Sequence, residues 1–95
     1  MSLRLYIGGT QPKAKQARAN LRRICEELGD NQPIVDIVDV FREPDRTLSD
    51  NIIATPTLVR LSPKPVLRII GTLSDLPRVR LALGLESAPV EKVKA

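Results

Sequence analysis

The chain has 95 residues, 42% of them hydrophobic and 27% charged, which suits one domain with a single modest core and leaves no room for a second. Its 15 Lys and Arg outnumber its 11 Asp and Glu, for a formal charge of +4, and the excess lies before Glu86, because acids and bases balance after that point. One cysteine, no histidine, one tyrosine and one phenylalanine exclude an internal disulfide, the usual histidine-based metal and nucleophile–base sites, and aromatic platforms for stacking bases.

Leu3 to Ile7 alternates apolar with polar or amphipathic residues and meets Gly8-Gly9, the pattern of a strand ended by a turn. From Pro12 to Leu28, residues Ala14, Ala17, Leu21, Ile24, Cys25 and Leu28 keep the spacing of one helical face. Thr10 is placed to cap this helix, Pro12 suits its first turn, and Gly29 suits a left-handed end. Lys15, Arg18 and Arg22 form a basic stripe opposite the apolar face, and Arg22 with Glu26 and Arg23 with Glu27 are spaced as i,i+4 pairs.

Ile34 to Phe41, IVDIVDVF, has apolar residues at both parities, which predicts a strand covered on both faces. Asp36 and Asp39 interrupt opposite faces and diverge, so they read as solvent-facing or strand-end carboxylates and not as a metal or acid–base pair. Glu43-Pro44-Asp45 opens a short helix through Asn51, with Leu48 as its main apolar anchor. Thr57 to Leu61 and Val66 to Ile70 form a hairpin across Ser62-Pro63-Lys64-Pro65. Ser74 is placed to cap a last helix carrying Leu76, Val79, Leu81 and Leu83 up to Gly84, and residues 86–95 have the composition of a loose tail after a domain of residues 1–85.

The order βαβαββα is that of an α/β, thioredoxin-like fold, expected here with strands one to three parallel, the last antiparallel, and helices on both faces; a two-layer α+β arrangement is the rival. Thiol chemistry in such a fold needs a thiolate where the first strand enters the first helix. That loop, GGTQPKAKQ, has no cysteine, and Cys25 falls on the apolar stripe far down the helix. Gly8-Gly9 lacks the spacing of a phosphate loop. No metal, cofactor or enzymatic activity is expected. Charge alone does not choose among an acidic protein, nucleic acid and a membrane surface, but the missing aromatics and motifs speak against nucleic acid, and no apolar run approaches the ~20 residues that span a bilayer. Without a signal-peptide pattern and with a lone cysteine, a reducing cytoplasmic setting is expected.

The stretches LRLYIGGTQP, VDIVDVFREP and IIATPTLVRLSPKPVLRIIGTLSD, in that order, resemble the KaiB family of circadian clock proteins over roughly Leu3 to Leu85. The resemblance implies a non-enzymatic regulator that binds the hexameric ATPase KaiC. It also implies two folds, a resting tetramer with a βαββααβ order and a rarer thioredoxin-like monomer competent for KaiC. Pro56, Pro63 and Pro65 match the prolines at which the two paths of the segment differ, and X-Pro bonds accept both isomers. Gly84 stands in the same switching region, where the family has an acidic residue.

For partner binding the resemblance points to Arg60 and Arg68, with Arg46, Asn51 and Lys64 around them. Asn51 and Leu67 replace basic family residues there. Asp36 replaces a lysine on the strand that meets KaiA, which turns attraction to an acidic partner into repulsion and makes KaiA a doubtful partner. The alternative is a constitutively thioredoxin-like adaptor, similar to the sensor domain of the clock-associated histidine kinase and acting in that pathway or in stress signalling. A tetramer or dimer is expected at rest.

Overall fold

The computed structural model describes residues 1–85; the expected tail, residues 86–95, lies outside the described residues. Four strands and three helices alternate as β1 (Ser2–Ile7), α1 (Pro12–Glu27), β2 (Ile34–Asp39), α2 (Pro44–Ser49), β3 (Thr57–Ser62), β4 (Leu67–Ile70) and α3 (Leu76–Leu83). A single 3₁₀ turn, Gly29–Asn31, follows α1. The expected βαβαββα order is therefore present, and the strands form one sheet in the order β2-β1-β3-β4.

Strand direction departs from expectation at β3. β1 and β2 are parallel, but β3 runs antiparallel to β1 as well as to β4. The reason is the connection before it. A six-residue helix such as α2 rises about 9 Å, whereas a six-residue strand runs about 20 Å. α2 cannot carry the chain back along the sheet as α1 does between β1 and β2. β3 therefore starts at the end where β2 stopped. β2 packs on both faces, through Val35 against the main core and Val38 in the opposite cluster, but it is an edge strand whose margin stays open, so Ile34 is 75% and Ile37 37% exposed.

The main core lies on one face of the sheet. Leu3, Leu5 and Ile7 of β1 and Leu58 of β3 meet Ala14, Ala17, Leu21 and Ile24 of α1 and Val79 and Leu83 of α3. Leu5 and Leu58 are completely buried, and each such side chain contributes about 1.5–3 kcal/mol of transfer free energy. The two small alanines let α1 sit close to the strands. Residues 76, 79 and 83 supply the inward stripe of α3, while Leu81 points outward. The opposite face holds a smaller cluster of Tyr6, Val38 and Val59, joined by Val40, Ile52 and Leu61.

Helix ends differ from the sequence expectation in three places. α1 is entered through Gln11 with no side-chain cap, so Thr10 does not cap it, although Pro12 opens the helix as expected. α3 is capped by Asp75 in place of Ser74: the Asp75 Oδ1 accepts the Arg78 N–H at 3.3 Å. On α1 the expected i,i+4 pair of Arg23 and Glu27 gives way to a longer-range one. Arg80 of α3 donates Nε and Nη2 to the two carboxylate oxygens of Glu27, both at 2.7 Å, and clamps the helices together. Planar bidentate geometry favours this partner over a neighbour one turn away.

α2 holds to its face by charge. Leu48, expected as its anchor, is 75% exposed. The parallel register sets Arg4 directly beside Asp36, and the Asp36 Oδ2 accepts from Arg4 Nε at 3.0 Å and from Arg46 Nη2. Arg4 Nη1 also reaches Asp50 at 3.2 Å, and Arg46 Nη1 reaches Glu43 at 3.0 Å. Four ion pairs among five charged residues thus fasten a helix too short to present an apolar stripe. The peptide bonds preceding Pro56, Pro63 and Pro65 are cis.

Candidate functional site

The sequence-derived residues fall into two groups on opposite faces of the sheet. In antiparallel pairing Arg60 stands opposite Leu67 and Arg68 opposite Val59. Side chains alternate along a strand, so Arg68 shares the α2 face with Val59 and Tyr6 while Arg60 enters the main-core face. Arg46 and Asn51 lie with Arg68 on the α2 side. Lys64 is exposed in the β3–β4 turn, next to the Arg60 contact at Pro65.

Arg60 is only 8% exposed. Its Nη1 donates to the Leu83 carbonyl at 3.1 Å and its Nη2 to the Pro65 carbonyl at 2.9 Å. Leu83 is the last residue of α3, so the guanidinium supplies both a hydrogen bond and a positive charge to the negative end of the helix. Gly84 follows at φ 79°, and a Cβ there would lie 3.6 Å from Arg60 Nη1. Two residues expected separately, one for binding and one for switching, are therefore neighbours at a single helix terminus.

Arg68 plays the matching part for α2. Its guanidinium donates to the Asp50 carbonyl at 2.6 Å and the Asn51 carbonyl at 3.0 Å. Asn51 is in the left-handed region at φ 56° and ends the helix. Pro56 is buried at the entrance to β3, while Pro63 and Pro65 are exposed in the turn.

Asp36 is not the bare negative charge that the sequence suggested. The Arg46 hydrogen bond, and then Arg4, hold its carboxyl below the usual carboxylate range, and Arg46 is in turn raised by Asp36 and Glu43. Repulsion of an acidic partner by this residue is largely cancelled by two cations in direct contact with it. Glu27 is likewise held low by Arg80.

Sequence reasoning missed the apolar surface beside α2. Leu48 is 75% exposed, Ile53 90% and Phe41 67%. The signal was present: one leucine in a six-residue polar helix has no apolar neighbour to pack with, and Ile52 and Ile53, adjacent in sequence, cannot both face inward. Ile52 packs and Ile53 protrudes.

The catalytic alternatives find little support in the geometry. The β1–α1 loop has no thiol, and Cys25 lies roughly 20 Å farther along α1. Burial, and then Glu26, push the Cys25 thiol up and away from its reactive form. The Gly9 N–H, which a phosphate loop would turn toward its ligand, donates to Asp39 Oδ1 at 3.2 Å. Among the described residues no group of three acidic or cysteine side chains is placed to hold a metal ion.

The KaiB domain model matches residues 4–85. The chain belongs to the KaiB family. KaiB3 of Synechocystis sp., a circadian clock protein, is 46% identical over 84 residues, covering 87% of this chain and 81% of its own. The circadian clock oscillator protein KaiB of Prochlorococcus marinus (strain MIT 9312) is 40% identical over 83 residues, covering 87% and 79%. Among solved structures, the N-terminal domain of Synechococcus elongatus SasA superposes with a TM-score of 0.68 at 20% identity, over 90% of this chain and 85% of that one. Chloroplastic thioredoxin z gives 0.69 at 22% identity, over 87% and 75%. The fold of this KaiB-family chain is therefore thioredoxin-like. No helix among its described residues is long and apolar enough to cross a membrane.

Proposed function

We propose that this chain is a non-enzymatic clock or stress-signalling regulator that docks on a KaiC-type hexameric ATPase in the cytoplasm. The observation that carries the reading is the α2 surface, where exposed Leu48 and Ile53 stand with Arg46, Asn51 and Arg68. Apolar anchors within a polar, charged rim are the anatomy of a protein-binding patch, and family membership supplies the partner class. Arg60 and Lys64 join the interface in this reading from the hairpin side. Arg60 reaches a partner only when its bonds to Leu83 and Pro65 open.

Docking in this proposal selects the thioredoxin-like arrangement from a resting tetramer or dimer of βαββααβ order, with Pro56, Pro63, Pro65 and Gly84 in the segment that changes path. Such selection requires the two states to differ by no more than a few kcal/mol. Polarisation or stopped-flow traces with a matched KaiC-type ATPase should show slow binding, and Leu48→Asp or Ile53→Asp should weaken it by roughly tenfold or more each. Fast single-step binding indifferent to both substitutions would refute the docking surface and the selection together.

A second reading is a constitutively thioredoxin-like adaptor, resembling the sensor domain of the clock histidine kinase in its mode of use. The two arginine clamps favour it, because each fixes a helix in the arrangement described. Solution mass and amide NMR separate the readings: a concentration-independent monomer with one set of peaks belongs to the adaptor, and a tetramer or dimer with altered strand order belongs to the switch.

A further inference from the structure

The outer edge of β4 is a second feature of the molecule that invites a ligand. β4 ends the sheet, and among the described residues no strand pairs with its outer side. The Gly71 N–H donates to the Pro56 carbonyl at 2.9 Å, which fixes the alternation of the β3–β4 ladder. Gly71, Ile69 and Leu67 turn their backbone groups toward β3, so Arg68 and Ile70 turn theirs outward. Beside this edge runs a groove of about 580 Å³, bounded on its far side by Arg78, Val79 and Ala82 of α3. That volume is in the range of ligand sites. The small Ala82 side chain leaves the channel open, and Ile69 and Val79 give it an apolar lining.

The charge around the groove selects the occupant. Arg78 borders it from α3, while Arg68 lines it from β4 and turns its guanidinium to the α2 face of the strand; among the described residues neither has a carboxylate partner. Carbonyls accept from Arg68 without cancelling its charge. Among the described residues lining the groove the one acid is Asp75, which is turned to its own helix and accepts the Arg78 N–H. We infer that the β4–α3 groove binds an extended segment of another protein, apolar at its centre and acidic at its flanks, which adds as a fifth strand to β4. Outward N–H and C=O groups of Arg68 and Ile70 supply the ladder; Arg78 supplies the preference for acidic side chains on the α3 face of the added strand, and Arg68 does so on its other face.

A displayed library of random short peptides, panned on the full chain, tests this. The expected result is a consensus with apolar residues between Asp or Glu. Adding the enriched peptide should slow amide exchange at Arg68 and Ile70, while the same amides exchange rapidly in its absence. Arg78→Glu should weaken the peptide about tenfold. Ile70→Pro, which removes an outward N–H and leaves the inner ladder intact, should abolish binding. The inference is overturned by a library that yields no acidic consensus, by protection that maps to β2 or α2, or by Arg68 and Ile70 amides already protected without peptide. The last result would mean that the edge is already occupied, as by a second copy of the chain. Exchange in the wild type decides the matter even where Ile70→Pro fails to fold.

Discussion

Arg60 and Arg68 stand on neighbouring strands one register step apart, point to opposite faces of the sheet, and each donates to carbonyls at the C-terminal end of a different helix. One holds α3 and the other holds α2. Two basic residues that look alike in sequence are thus structural clamps of very different burial, and their substitution should separate cleanly.

Arg60→Ala removes the donor from the Leu83 carbonyl at the buried end of α3 and from the Pro65 carbonyl in the exposed turn. Loss of two charge-assisted bonds at a buried site, with the cavity that follows, should cost about 2–4 kcal/mol. Arg68→Ala acts at an exposed helix end and should cost about 1 kcal/mol or less. Urea denaturation measures both. Hydrogen exchange adds location: Arg60→Ala should loosen α3 and the hairpin turn, whereas Arg68→Ala should loosen only α2. Equal costs would mean that Arg60 is not the clamp its burial indicates.

Gly84 tests the other half of that clamp. Its φ of 79° lies in the left-handed region, and the nearest atom to an added Cβ, Arg60 Nη1 at 3.6 Å, is at ordinary contact distance. The cost of Gly84→Ala is therefore conformational and not steric, about 1 kcal/mol. Gly84→Asn should recover part of it, since asparagine tolerates this backbone region. A thermal melt in which alanine and asparagine cost the same would place the penalty elsewhere.

The Asp36 network gives the protein an acid-sensitive joint. Because Arg46 and Arg4 hold the Asp36 carboxyl below its ordinary value near ~4, the unfolded chain binds a proton at higher pH than the folded one. The stabilising contribution is fully present above ~4 and is lost as pH falls through the depressed folded value. Glu27 with Arg80 adds a contribution of the same sign. Asp36→Asn should lower stability at neutral pH by a modest amount, given how exposed the group is, and should flatten the acid limb of the stability curve. Chemical denaturation from pH 7 down to pH 2 is the measurement. An unchanged limb would show that Asp36 is not paired in solution.

Most of the fold could be read from local signals. Apolar spacing gave α1 and the inward stripe of α3, the Pro12 and Gly29 punctuation gave the limits of α1, and the proline-rich turn gave the hairpin. What escaped was whatever depends on which strands meet. The direction of β3 follows from how far α2 can carry the chain, and the edge position of β2 follows from the sheet order. The Asp36 pairing needs the β1–β2 register, and the burial of Arg60 needs α3 to end beneath it. The candidate site was legible as a set of basic residues but not as a geometry. Nothing in the residue types of Arg60 and Arg68 reveals that one faces the core, and exposed Leu48 reads like any core leucine until α2 is seen to have no second apolar residue to pair with.

Tyr6 offers a check on the smaller cluster. The ring is fully buried among Val38 and Val59, and its hydroxyl has no protein hydrogen-bond partner. A buried hydroxyl that has given up water without gaining a partner is destabilising by roughly 1–3 kcal/mol. Tyr6→Phe keeps the ring contacts and removes that oxygen, so it should leave the melting temperature unchanged or raise it. Tyr6→Leu, which loses ring volume from a close-packed site, should lower it. If Tyr6→Phe were instead clearly destabilising, the hydroxyl would have to be hydrogen-bonded in solution, and the packing of the α2 face around it would need revision.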